Sequence, residues 1–163
     1  MMSLPPEILI LVIAATPIVE LRGSIPLAVG AFEMNVIYAA TLSVIGNLIP
    51  IFLIYWFGKL WINWTAIRQG FLFRLTDGML KRSKKVLGNG KYEKFGLFAL
   101  TLFVAIPLPM TGVWTGTVAA FLFGLPLKRS FPFIALGATM AGIIVALITS
   151  GALSFLSFLV KNP

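Results

Sequence analysis

Glu20 and Arg22 stand inside an otherwise apolar stretch, ILILVIAATPIVELRGSIPLAVGAF, with Pro17, Gly23 and Pro26 around them. Ionisable groups at membrane depth are costly, and where they occur they mark substrate sites, ion sites or proton relays. Arg22 stays protonated in any plausible site and can fork onto a phosphate or carboxylate. Burial favours the neutral form of Glu20, whereas a neighbouring Arg22 favours the charged form. A carboxylate balanced between those two effects can carry a coupling proton. On a helix an i, i+2 pair does not face itself. The two residues therefore read either as a substrate and coupling site or as a buried clamp that fixes the backbone around them.

Other chemistry is thin. There is no histidine and no cysteine, so disulfides, thiolate metal sites and the dyads built on either residue are excluded. No metal site and no cofactor is expected, and protons are the candidate coupling ion. Asp77 falls in a basic segment, so no pair of acids exists at membrane depth and an intramembrane enzyme is not expected.

The elements that must position Glu20 and Arg22 follow from the apolar pattern. The chain of 163 residues is 59% hydrophobic and only 11% charged, against roughly 25% charged in soluble domains. It reads as an all-α integral membrane protein, one membrane domain over 1–163, at the cell membrane and multi-pass. Four apolar blocks are visible: 8–32, 35–58, 95–127 and 131–160. The second and fourth are long enough for transmembrane helices, about 20 residues being needed. The first and third each carry a Pro/Gly break near the middle. In the third it lies in AIPLPMTGVWTGTVAAFLFG, at Pro107, Pro109, Gly112 and Gly116. The apolar arms on either side cover about half the bilayer, which fits a re-entrant helical hairpin lined by protein.

Charge supports this arrangement. Nine of thirteen Lys/Arg fall between Lys59 and Lys94, and Lys128 and Arg129 follow block 95–127. Basic segments remain cytoplasmic, so 59–94 and 126–130 are placed inside and both termini outside. The chain then forms an inverted repeat of two units, each a re-entrant hairpin plus a transmembrane helix: 8–58 and 95–160. Gly23-Ser24-Ile25 aligns with Gly116-Thr117-Val118. A cytoplasmic amphipathic helix, 59–94, joins the units, with Trp61, Trp64, Ile67, Phe71, Leu75 and Met79 at helical spacing. The positive charge is explained by membrane topology, and no nucleic-acid partner is expected.

Beyond each break the chain restarts as a helix, with Ser24 expected as one N-cap and Thr115 or Thr117 as the other. Helix N-termini favour anions. Asn47, Thr111 and Trp114 are candidate hydrogen-bonding or wall residues of the same site. Ala138, Gly142 and Ala146, with Gly137 and Ala141, allow close helix contact within the protomer or in a homodimer.

The segments Glu20-Leu21-Arg22-Gly23-Ser24-Ile25-Pro26-Leu27 and Pro107-Leu108-Pro109-Met110-Thr111-Gly112-Val113-Trp114-Thr115-Gly116 resemble the two signature segments of the small multidrug export protein family. That family is in turn similar to the DedA / VTT (SNARE-associated) membrane proteins. The resemblance implies opposed re-entrant hairpins and movement of polyprenyl-phosphate or other lipids, with acidic and arginine residues in the hairpins. Glu20 and Arg22 match that character. The expected function is a transporter or flippase for an anionic amphiphile, in contact with membrane lipids and coupled to protons through Glu20. The alternatives are a proton-driven exporter of cationic compounds and a non-transporting scaffold.

Overall fold

Two prolines open the first helix at no cost, because the first helical residues have no intrahelical acceptor for their N–H groups. Helix α1 spans Pro6–Ala14 and α2 spans Glu20–Ala31. Between them the chain turns through Pro17, with Thr16 Oγ1 donating to Ile13 O at 2.7 Å. A left-handed Glu33 ends α2, and Met34 N–H donates to Ala28 O. Asn35 Oδ1 then accepts from Ile37 N–H at 2.9 Å, a side-chain cap for the next helix. Helix α3 runs over Val36–Arg68, α4 over Gly90–Ala105, α5 over Val113–Leu122 and α6 over Leu127–Lys161. This computed structural model describes residues 4–68, 78, 90–108 and 111–161, and every regular element among the described residues is helical.

The two long helices carry the apolar character. Val36–Ile62 and Leu127–Ala152 are long and apolar enough to cross a membrane, and only a third of each is buried within the protein. At about 1.5 Å per residue each is roughly 40 Å long. Ile37, Phe52, Trp56, Phe57, Leu136 and Leu147 are among the large side chains left on the surface. So broad an apolar exterior belongs in lipid.

Several boundaries differ from the sequence expectation. Helix α3 continues through Lys59 to Arg68, where a separate amphipathic helix was expected to begin. The stripe positions Phe71, Leu75 and Met79, and the basic residues among them, lie outside the described residues. Pro26 lies inside α2 and Gly116 inside α5, so neither breaks a helix. Non-ideal prolines persist in apolar helices where neighbouring groups satisfy the freed carbonyl. Pro17 and Pro107 lie between helices and Gly112 directly precedes α5, while Pro109 lies outside the described residues.

The chain divides into two compact units, Met1–Ile49 with Ala138–Pro163, and Pro50–Gly137. In the first unit α1 packs on α2. Ile10, Ala28 and Ala39 form a dry cluster flanked by Val29, Phe32, Met34 and Leu42. Gly46 brings α3 against the end of α1, and Gly142 brings α6 against Val44 of α3. In the second unit α4 packs on α5. Tyr55 Oη donates to Leu125 O at 2.8 Å and lies 2.8 Å from Ser130 Oγ. Thr101 Oγ1 reaches Phe133 O at 3.1 Å.

The two halves of the chain repeat one pattern of burial. Glu20, Leu21, Ser24, Ile25 and Ala28 are buried along α2. Gly112, just before α5, and Val113, Gly116, Thr117 and Ala120 within it are buried at the same intervals. Ala39, Ser43, Gly46 and Asn47 are buried in α3, and Ser130, Ile134, Gly137 and Ala138 at the same intervals in α6. The packing repeats as well. A Cβ on Gly46 would lie 2.5 Å from Leu11 O, and one on Gly137 would lie 2.7 Å from Thr101 O. Ser24-Ile25 thus corresponds to Gly116-Thr117, one residue away from the correspondence expected from sequence.

Candidate functional site

Glu20 is the first residue of α2, and its φ is 51°, the left-handed region. A side chain there costs roughly 1–2 kcal/mol, and such outliers cluster at functional sites. The corresponding residue of the second half is Gly112, also at positive φ. At φ 138° and ψ −167° Gly112 takes a conformation open to glycine, whereas Glu20 holds its left-handed backbone at a cost. Glu20 is 5% exposed. Its Oε2 lies 3.7 Å from Arg22 Nη2, with the arginine the more exposed partner. The left-handed start of α2 overrides the i, i+2 spacing that separates such residues on a regular helix. The positive end of α2 and Arg22 both lie beside the carboxylate.

One turn further along α2, Ser24 is 0% exposed. It is not the N-cap of this helix, because α2 begins a turn earlier at Glu20. Among the described residues its hydroxyl has no hydrogen-bond partner, and the same holds for Ser43 Oγ and for both Asn47 Oδ1 and Nδ2. Ser43 and Asn47 lie one turn apart on α3 and are 0% and 1% exposed. An unmade hydrogen bond at such depth costs about 1–3 kcal/mol. Buried polar groups in native proteins are almost always satisfied, so three unpaired side chains in one unit are a functional signal. Ser43 was missed in the sequence. Its one visible signal is the i, i+4 spacing to Asn47 on the inward face of a membrane helix.

The hydroxyls of the second hairpin behave differently. Thr111 Oγ1 bonds Ile106 O at 2.7 Å and Leu108 O at 2.8 Å and accepts from Leu108 N–H, so it holds the turn before α5. Helix α5 begins at Val113 after Gly112, so neither Thr115 nor Thr117 is its N-cap. Thr115 Oγ1 reaches Gly112 O at 3.4 Å, and Thr117 Oγ1 donates to Val113 O at 2.6 Å. Trp114 is half-buried, as is Gly23 in α2. The structure therefore gathers Glu20, Arg22, Gly23, Ser24 and Asn47 in the first unit. Thr111, Trp114, Thr115 and Thr117 lie in the second. No cluster of acidic, histidine or cysteine side chains able to hold a metal is present among the described residues.

The contrast between halves is chemical. Glu20, Ser24, Ser43 and Asn47 correspond to Gly112, Gly116, Ile134 and Ala138. The second half in turn buries Thr117 and Ser130 at the positions of Ile25 and Ala39, and both of these hydroxyls are hydrogen-bonded.

A family model described as "Putative small multi-drug export protein" matches residues 20–144, from the buried glutamate through both long helices. Among curated proteins and among solved structures, none matches the chain. With its two long apolar helices, the match marks a membrane protein of transporter type rather than a member of an enzyme family.

Proposed function

The chain belongs to the small multi-drug export protein family, and from that membership we propose that it is a multi-pass transporter of the cell membrane moving an anionic amphiphile. Transport is coupled to protons through Glu20. The observation that carries the reading is the buried polar group of the first half, whose counterparts in the second half are apolar. In a protein that only scaffolds, such a group destabilises without return.

The architecture proposed is an inverted repeat of 8–58 and 95–160 within one membrane domain. Helices α1, α2 and α5 have nine, twelve and ten residues. These are roughly 14, 18 and 15 Å long, well short of a ~30 Å hydrocarbon core. Re-entrant hairpins accommodate such arms. Lys94, Lys128 and Arg129 are exposed at the two ends of the α4–α5 segment, as a hairpin entering and leaving on the cytoplasmic side requires. The likeness of the Glu20 segment to DedA-type hairpins leads to the same expectation of a lipid-phosphate cargo.

Charge balance gives the mechanism. Paired, Glu20 and Arg22 are neutral together. Protonation of Glu20 releases Arg22 to an anionic head group, and the site stays neutral with cargo and proton bound together. A second reading, export of cationic compounds, draws on Glu20 being more buried than Arg22. It places an additional positive charge beside Arg22. Purified protein in liposomes tests the lead. Glu20→Gln abolishes proton-driven flux of a phosphate amphiphile while exchange at equal concentrations persists. Proton-driven flux at the wild-type rate in that variant removes the coupling role.

A further inference from the structure

Ser24, Ser43 and Asn47 have not been given a ligand, and their hydrogen-bonding inventory defines one. Their level in the fold follows from two contacts. Ala28 of α2 and Ala39 of α3 share the dry cluster with Ile10. The chain reverses between them, so one turn from that cluster brings Ser24 and Ser43 to one level, and a second turn brings Glu20 and Asn47 to the next. Independently, Gly46 abuts Leu11 and Ala14 at the end of α1. That places Asn47 beside the hairpin tip from which Glu20 starts α2. The result is a buried polar cluster with the aliphatic contact of Ile10, Ala28 and Ala39 on one side and the Glu20 carboxylate on the other.

The cluster offers three neutral donors, the Ser24 and Ser43 hydroxyls and Asn47 Nδ2, with the Arg22 guanidinium alongside Glu20. It also offers one amide acceptor, Asn47 Oδ1. We propose that this is an oxyanion pocket whose filling takes up one proton. A phosphate or carboxylate head group accepts from Ser24, Ser43, Asn47 Nδ2 and Arg22. Glu20 takes a proton from solvent and donates it to Asn47 Oδ1, so all four orphaned atoms are satisfied at once. One negative charge and one proton enter together, and the cluster remains neutral. A cation in the same place leaves Asn47 Nδ2 unmet and adds charge beside Arg22. The inference rests on the transport reading above and specifies its head-group chemistry and a residue, Ser43, that the sequence did not reveal.

The test is calorimetric titration of the full chain in neutral detergent, in two buffers of different ionisation enthalpy, with dodecyl phosphate, inorganic phosphate and dodecyltrimethylammonium as probes. Dodecyl phosphate binds saturably with uptake approaching one proton near neutral pH. Ser43→Ala and Asn47→Ala each weaken binding about tenfold or more, and their apolar counterparts in the second half indicate that both fold. Glu20→Gln binds without proton uptake. Inorganic phosphate that competes assigns recognition to the head group alone, and phosphate that does not compete assigns it to an amphiphile of lipid type. Binding without proton uptake, unchanged affinity in both variants, or preference for dodecyltrimethylammonium overturns the pocket. Flux in liposomes separates the two claims. Wild-type flux in Ser43→Ala and Asn47→Ala removes the pocket and leaves the transporter, whereas proton-linked binding without any flux removes the transporter and leaves the pocket.

Discussion

Replacing Gly46 by alanine tests whether the approach of α3 to α1 holds Asn47 at the hairpin tip. The new Cβ would lie 2.5 Å from Leu11 O and 3.0 Å from both Leu11 Cα and Ala14 Cβ. Carbon contacts settle at 3.5–4.0 Å. The oxygen and Cα belong to backbone and cannot rotate away, so the helices must part by about 1 Å. Overpacking of this kind costs about 1–3 kcal/mol. It is offset by the roughly 1 kcal/mol that alanine gains over glycine in a helix. Gly30, in α2, is the control, since nothing lies within 4 Å of its added Cβ. Gly30→Ala should show the gain alone. The two variants should therefore differ by about 1–3 kcal/mol. At about 2–4 °C per kcal/mol for a chain of this size, that separates their unfolding midpoints by roughly 2–12 °C. Thermal unfolding in detergent, followed by tryptophan fluorescence, reads the difference. Gly46→Ala should also transport more slowly than Gly30→Ala, because Asn47 moves with the helix. If Gly46→Ala is as stable as Gly30→Ala and transports as fast, the close approach is not what positions the site.

Three further outcomes are expected. Arg22→Ala should weaken a phosphate amphiphile at least tenfold in a binding titration, since a lost charged partner at a buried site costs about 2–5 kcal/mol; Arg22→Lys should recover only part, because a point charge lacks the bidentate fork, and full recovery would make the contact purely Coulombic. Single cysteines at Lys94 and Lys128 should both react with an impermeant thiol reagent from the cytoplasmic side only, whereas reaction of the second from outside would make 95–127 a single span. Tyr55→Phe should lower stability by about 1–2 kcal/mol through the loss of its bonds to Leu125 O and Ser130, seen as a lower unfolding midpoint with unchanged flux; impaired flux at equal stability would bring Tyr55 into the transport cycle.

Much of the fold is legible because apolar run length and proline position are direct physical signals. The two long helices and the turns near Pro17 and Pro107 follow from them. The helix starts do not. Capping chemistry points to Ser24, yet α2 begins at Glu20 because that residue adopts a left-handed backbone no local pattern announces. Pro26 and Gly116 read as breaks, but α2 continues through the first. The second serves contact, since a Cβ at Gly116 would meet Val104 Cγ2 at 2.6 Å. At the site, the charged pair is conspicuous in the sequence because charge in an apolar block is rare. Ser43 is not, since a lone serine in a membrane helix commonly bonds its own backbone, as Thr149 does to Val145 O. Only the three-dimensional environment distinguishes a satisfied hydroxyl from an orphaned one.

The repeated burial pattern has a consequence for how such a chain can change. One spacing of buried residues is present twice, and where the first occurrence has Glu20, Ser24, Ser43 and Asn47 the second has Gly112, Gly116, Ile134 and Ala138. On the transport reading proposed above, cargo preference is set at Glu20, Ser24, Ser43 and Asn47, where the second occurrence of the spacing carries other occupants. The second occurrence is also latent material. Placing serine at Ile134 and asparagine at Ala138 would reproduce the α3 pair on α6, and a duplicated scaffold of this kind keeps a second site a few substitutions away.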